Sequence, residues 1–160
     1  MARKPVSPRV PANPAAPASP PPAPALRYGP PIALAAARRV MAAAEAAAER
    51  EGWRAVIAIV DSGGHLVMLH RLDQAQYGSL AVAQAKAATA LEFRRPTRAI
   101  EDAVAGGGKG LRMLSLAGVV AIEGGLPLVV GDEVVGAIGV SGMRSDQDVR
   151  VAEAGAAALH

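Results

Sequence analysis

Two β-branched runs, Leu126–Val130 and Val134–Val140, stand on either side of Gly131-Asp132-Glu133, and such a pair is best accommodated as a β-hairpin. Glycine at the first central turn position accepts the positive φ that tight primed turns require. The return strand ends in Gly139-Val140-Ser141-Gly142. Ser145 or Asp146 then stands where it can cap a helix carrying Val149, Ala152 and Ala156 at helical spacing. Gly124 and Gly125 precede the first run, and Gly136, Gly139 and Gly142 recur at every third residue of the second. Glycine weakens a strand, so its repetition implies close approach of another backbone or of a ligand. A bulged sheet under a tightly packed helix would use it equally.

A similar pair lies upstream. Arg54–Val60 reads as a buried central strand, Asp61-Ser62-Gly63-Gly64 as a turn, and His65–Leu72 as the returning strand. Alternation sets His65, Val67, Leu69 and Arg71 on one face and Leu66, Met68, His70 and Leu72 on the other. That separates the two histidines, so no metal site is expected between them. Helices are predicted over Ile32–Glu51, with a stripe of Ile32, Ala36, Val40, Ala43 and Ala47, over Tyr77–Phe93, and over Arg98–Val104 after the break at Pro96. On the second helix Val82, Lys86, Thr89 and Phe93 share an edge. Either a lysine and a hydroxyl line a cleft above the sheet, or the lysine snorkels beside a core phenylalanine. With Val119–Ile122 as a further strand, the order is α-β-β-α-α-β-β-β-α. The expected fold class is α+β, a five-stranded, mainly antiparallel sheet flanked by helices.

The 160 residues are 51% hydrophobic but only 2% aromatic, so one domain is expected with a core of Ala, Val, Leu and Ile. Eleven of the 13 prolines fall within the first 31 residues. Residues 1–31 are therefore expected as a disordered Pro/Ala-rich arm and 32–160 as the folded domain. The absence of cysteine excludes disulfides, thiolate metal sites and thiol nucleophiles. Much of the +3 net charge sits in the arm (Arg3, Lys4, Arg9, Arg27), and there is no aromatic stacking platform, so no nucleic-acid partner is expected. With no apolar run of bilayer length and no h-region after the basic N-terminus, the expectation is a cytoplasmic protein without a membrane partner. Ala105–Leu111 fails both the Walker and dinucleotide glycine patterns, and Met143 occupies the last glycine of a nucleophile elbow.

Four blocks, VIAIVDSGGHLVMLHRLD (Val56–Asp73), AVAQAKAATALEFRRPT (Ala81–Thr97), GGLPLVVGDEVVGAIGVSG (Gly124–Gly142) and QDVRVAEAG (Gln147–Gly155), resemble in order and spacing the GlcG/HbpS family. Its best-known members are called heme-binding proteins. The likeness covers nearly everything after about Ile32. It implies a profilin-like sheet and assembly into dimers or higher rings. It carries over Asp61, Gly64, Arg71, Asp73, Lys86, Thr89, Gly124, Gly125, Pro127 and Gly139 to Gly142 as motif residues. The function it implies is small-ligand binding, with heme or a related tetrapyrrole as the cofactor, at a surface or subunit-interface site of a homo-oligomer.

The residues able to ligate a heme iron are His65 and His70, then Met68 and His160. The sparse aromatics argue for a shallow site. A cofactor-independent reading stands beside this one. Arg71 and Lys86 supply charge for a carboxylate. Asp73 orients Arg71 or acts as base. Backbone N–H groups at Gly124-Gly125 or Ser141-Gly142 hold an oxyanion, and Lys86 exchanges a proton in an isomerase- or lyase-type reaction on a small organic acid. Thr89 and Phe93 complete the expected ligand-binding set. In a third reading the N-terminal arm docks the chain onto a protein partner, as an accessory subunit of a larger oxidoreductase complex.

Overall fold

The expected hairpin is the centre of the sheet. In the computed structural model, which describes residues 25–160, β4 (Gly125–Val130) and β5 (Glu133–Ser141) pair antiparallel, with Gly131 at φ 63° in the turn between them. Residues 1–24, most of the expected arm, lie outside the described residues. Along its other edge β5 pairs with β2 (Val56–Asp61), and β3 (Leu66–Arg71) follows β2 as the outer strand. The fifth strand is not residues 119–122. It is β1, Arg27–Tyr28, which runs parallel to β5 beside Glu133 and Val134, beyond the end of β2. The sheet is therefore mixed, and the order begins with a strand that falls inside the expected arm.

Side-chain anchoring explains how two residues hold as a strand. The Tyr28 hydroxyl donates to Glu92 O at 2.9 Å, the Arg94 guanidinium lies 5.0 Å over the Tyr28 ring, and Arg27 pairs with Asp132. Residues 119–122 pair with none of the described strands. Their chain is held instead by side chains, Val120 N–H donating to Thr89 Oγ1 at 3.0 Å and Glu123 N–H to Glu101 Oε2 at 2.7 Å.

Helices cover both faces. Ile57, Ile59, Ile138 and Val140 meet α1 (Leu34–Arg50) and α4 (Ser145–Ala157), while Val56, Ala58, Val60 and Ala137 face α2 (Ser79–Phe93). α3 (Arg98–Ala105) and a 3₁₀ segment (Gly108–Ser115) pack on one another beyond α2. Each fully buried Ile or Val is worth about 1.5–3 kcal/mol, and no aromatic side chain is buried among the described residues. The buried stripes differ from those expected: Ala37, Val40, Met41, Ala44, Ala47 and Ala48 on α1, and Asp148, Val151, Ala152 and Gly155 on α4. Ser145 and Asp146 lie inside the first turn of α4 and do not cap it.

The glycine repeat has its answer at Gly139. A Cβ there would run into Ala83 O and stand 2.5 Å from Ala87 N, so α2 rests directly on the backbone of β5. The close neighbour is a helix. A register shift between Ile59 and Val60 also breaks the alternation expected on β3: Met68 pairs with Ile59 but Leu66 pairs with Val60, which moves Leu66 to the α2 face. His65 precedes the strand, in the turn.

Candidate functional site

The expected site residues separate into two groups. Lys86 belongs to the interior. Its side chain, 1% exposed, leaves α2 and reaches the α4 layer at the start of β4, where its ammonium donates to Asp148 Oδ2 at 2.8 Å and to Val140 O at 2.9 Å. Asp148 Oδ1 accepts the Met143 N–H at 3.1 Å. Burial pushes the Asp148 carboxyl above its ordinary range, and the hydrogen bond and charge of Lys86 pull the other way. Gly124 makes room for the pair. Its φ is 118°, and a Cβ on it would stand 2.8 Å from both Lys86 Nζ and Val140 O.

The other glycines and hydroxyls of the expected ligand set are also occupied by the fold. Gly125 N–H donates to Thr97 Oγ1 at 3.0 Å, Thr89 holds Val120, Ser141 Oγ lies 3.1 Å from Ser79 Oγ, and Gly142 is pressed against Arg54. The cleft expected above the sheet is thus filled by α2, and among the described residues no oxyanion cradle opens beside the lysine.

The second group lies at the outer edge of the sheet, on β3 and the loop after it. Arg71 and Asp73 line two adjoining shallow cavities of about 350 and 400 Å³. Tyr77 walls the first and Trp53 the second. The Arg71 guanidinium lies 5.2 Å over the Tyr77 ring and donates to Ala75 O at 3.4 Å. Among the described residues no carboxylate comes within ion-pairing distance of Arg71, and it makes no pair with Asp73. Lys86 lines neither cavity.

His70 sits next to Arg71 on the opposite face of this strand. Its Nδ1 is 2.6 Å from Glu45 Oε1 on α1, with the imidazole 43% exposed. That contact occupies Nδ1, and Nε2 has no hydrogen-bond partner among the described residues. Glu45 was not anticipated: nothing in the sequence links it to a histidine 25 positions away. Nothing in the sequence marks Tyr77 or Trp53 as the wall of a site.

The remaining residues are elsewhere. His65 is 83% exposed, and its Nδ1 is 3.4 Å from Asp61 Oδ1, which also accepts the Gly63 and His65 N–H groups. Met68 packs on the core below α1, and His160 is an exposed terminus. Phe93 lines a third cavity, between the end of α2, α3 and the 3₁₀ segment. No cluster of metal-ligating side chains occurs among the described residues, and no helix there is long and apolar enough to cross a membrane.

A family model described as "Haem degrading protein HbpS-like" matches residues 32–157. The chain belongs to the HbpS-like family. It is 38% identical to Protein GlcG of Escherichia coli K12 over 105 residues, 66% of this chain and 77% of GlcG. Its fold superposes on crystalline HbpS with a TM-score of 0.76 at 32% identity, covering 84% of this chain and 94% of HbpS. It also matches the PduOC–heme complex with a TM-score of 0.73 at 28% identity, covering 80% and 94%.

Proposed function

We propose that this protein binds heme, or a related planar ligand bearing carboxylates, against the outer edge of β3. His70 is the ligand to iron and Arg71 the partner of a carboxylate. The observation that carries this reading is the Glu45–His70 contact at the open edge. An imidazole held through Nδ1 by a carboxylate presents a fixed, electron-rich Nε2, the arrangement metal-ligating histidines ordinarily have. Support also comes from the heme complex of the PduOC relative and from the unmatched Arg71 cation between Trp53 and Tyr77. Open, shallow cavities agree with a surface or subunit-interface site and do not fit a deep slot.

When bound, heme supplies a redox-active iron. The chain's own residues would hold it: Glu45 fixes the His70 ring, and Arg71 would neutralise a carboxylate. A proton-transfer role for Lys86 with Asp73 has no such support, because the ammonium is enclosed with Asp148 and Val140. The partner is a small molecule, and a second copy of this chain is proposed to cover the exposed Leu111, Leu114, Leu116 and Ile122; native mass spectrometry counts the subunits.

Hemin titration followed at the Soret band tests the reading. The wild type and His65→Ala give the same saturable band. His70→Ala shifts or loses it, and Arg71→Gln weakens it about tenfold, as loss of one charge-assisted contact does. An unaltered band in His70→Ala overturns the assignment of the iron ligand.

A further inference from the structure

The third cavity has a different chemistry. It encloses about 310 Å³ between the end of α2, α3 and the 3₁₀ segment. Phe93, Ile100 and Met113 form its apolar part, and Arg95, Lys109 and Arg112 supply three cations. Among the described residues no acid lines it. The acids on the neighbouring helix are engaged elsewhere: Glu101 accepts the Glu123 N–H at 2.7 Å, and Asp102 lies 3.8 Å from Arg98. Among the described residues none of the three cations forms an ion pair, and the one side-chain bond among them is Arg95 Nε to Phe93 O at 3.2 Å.

Like charges gathered without a counter-charge repel one another, and an anion relieves that repulsion. A bare inorganic anion would leave the apolar part in water, whereas a wholly apolar guest would leave the cations as they are. The volume lies at the small end of ligand cavities. We propose that this cavity is a second binding site, for a small amphipathic anion with one carboxylate or sulfonate head and a short acyl or aryl body. The head meets Arg95, Lys109 and Arg112, and the body lies on Phe93, Ile100 and Met113. The glycine-rich loop has a role here that its failed Walker pattern hid: Gly107 and Gly108, at φ 68° and 54°, turn the chain so that Lys109 comes back onto α3. This site is independent of the β3 edge, whose lining it does not share.

The test uses 8-anilinonaphthalene-1-sulfonate as fluorescent probe, octanoate, octanol and inorganic phosphate as competitors, and the full chain. The wild type binds the probe, octanoate displaces it, and octanol and phosphate at the same concentration do not. The exposed triple variant Arg95→Gln, Lys109→Gln, Arg112→Gln weakens the probe at least about tenfold, while its hemin titration is unchanged. Arg71→Gln has the reverse pattern, so failure here and failure of the heme reading are distinguishable. Probe affinity unchanged in the triple variant overturns the site, and phosphate displacing as well as octanoate overturns the ligand class.

Discussion

Charge is handled in opposite ways in two regions of this molecule. Between α2 and α4, Lys86 and Asp148 are removed from water and every strong partner they need is inside the chain: each other, Val140 O and the Met143 N–H. At the edge of β3, His70 is anchored by Glu45 and Arg71 by the Tyr77 ring and Ala75 O, and both keep capacity for a further contact. The first arrangement holds helices together, with the ammonium enclosed and two of its three N–H groups paired inside the chain. The second holds side chains still while leaving atoms unmatched, which is what a binding site needs. A titratable residue in a family motif is thus no guide to function until its partners are counted.

The sharpest way to break this contrast is to remove one member of the enclosed pair. Lys86→Met leaves a buried carboxylate alone and is expected to cost about 3–5 kcal/mol in urea denaturation. The variant also acquires a telling pH dependence. With the ammonium gone, the native Asp148 carboxyl rises further above the unfolded value near 3.9, so the native state binds the extra proton. Stability then increases as pH falls from 7 toward 5, and denaturation midpoints across that range check the sign.

Gly124→Ala strikes the same seam more mildly. A side chain at φ 118° and 2.8 Å from Val140 O costs about 1–3 kcal/mol, read by the same denaturation. At the open edge the scale moves from stability to affinity. Glu45→Gln weakens hemin binding about tenfold by freeing the His70 ring, with thermal stability nearly unchanged.

The smallest effect is expected at the turn before β3. Asp61 is held below the usual carboxylate range by the hydrogen bonds it accepts, chiefly from the His65 N–H. Its contribution is present above the unfolded value and is lost as pH falls through the lower native one. Asp61→Asn therefore removes about 1 kcal/mol or less, and only from the neutral side of a melting-temperature profile against pH.

Much of the architecture was legible because it is local. The hairpin around Gly131, the β2–β3 pair and the four helices follow from period and punctuation. The misreadings arise where distant chain decides. Arg27–Tyr28 is held as a strand by Asp132, Leu91, Glu92 and Arg94, and the chain from 119 to 123 is tied instead to Thr89 and Glu101. Lys86 stood out on α2, but its partner lies 62 positions away. One signal did exist: Asp148 falls at the start of the stripe continued by Val151, Ala152 and Gly155, an acid at the head of an apolar face. Such a residue is buried with its helix and requires a cation opposite. Glu45 beside His70 left no comparable trace.

The account turns on the enclosed pair being structural and the β3 edge being where ligand binds. The measurement that tests this most directly is the hemin affinity of the double variant Lys86→Met, Asp148→Leu, which exchanges both buried charges for apolar groups and so avoids stranding either one. The account predicts a folded protein whose hemin affinity stays within about twofold of the wild type, as for sites that share no side-chain partner. A folded double variant that no longer binds hemin would contradict it.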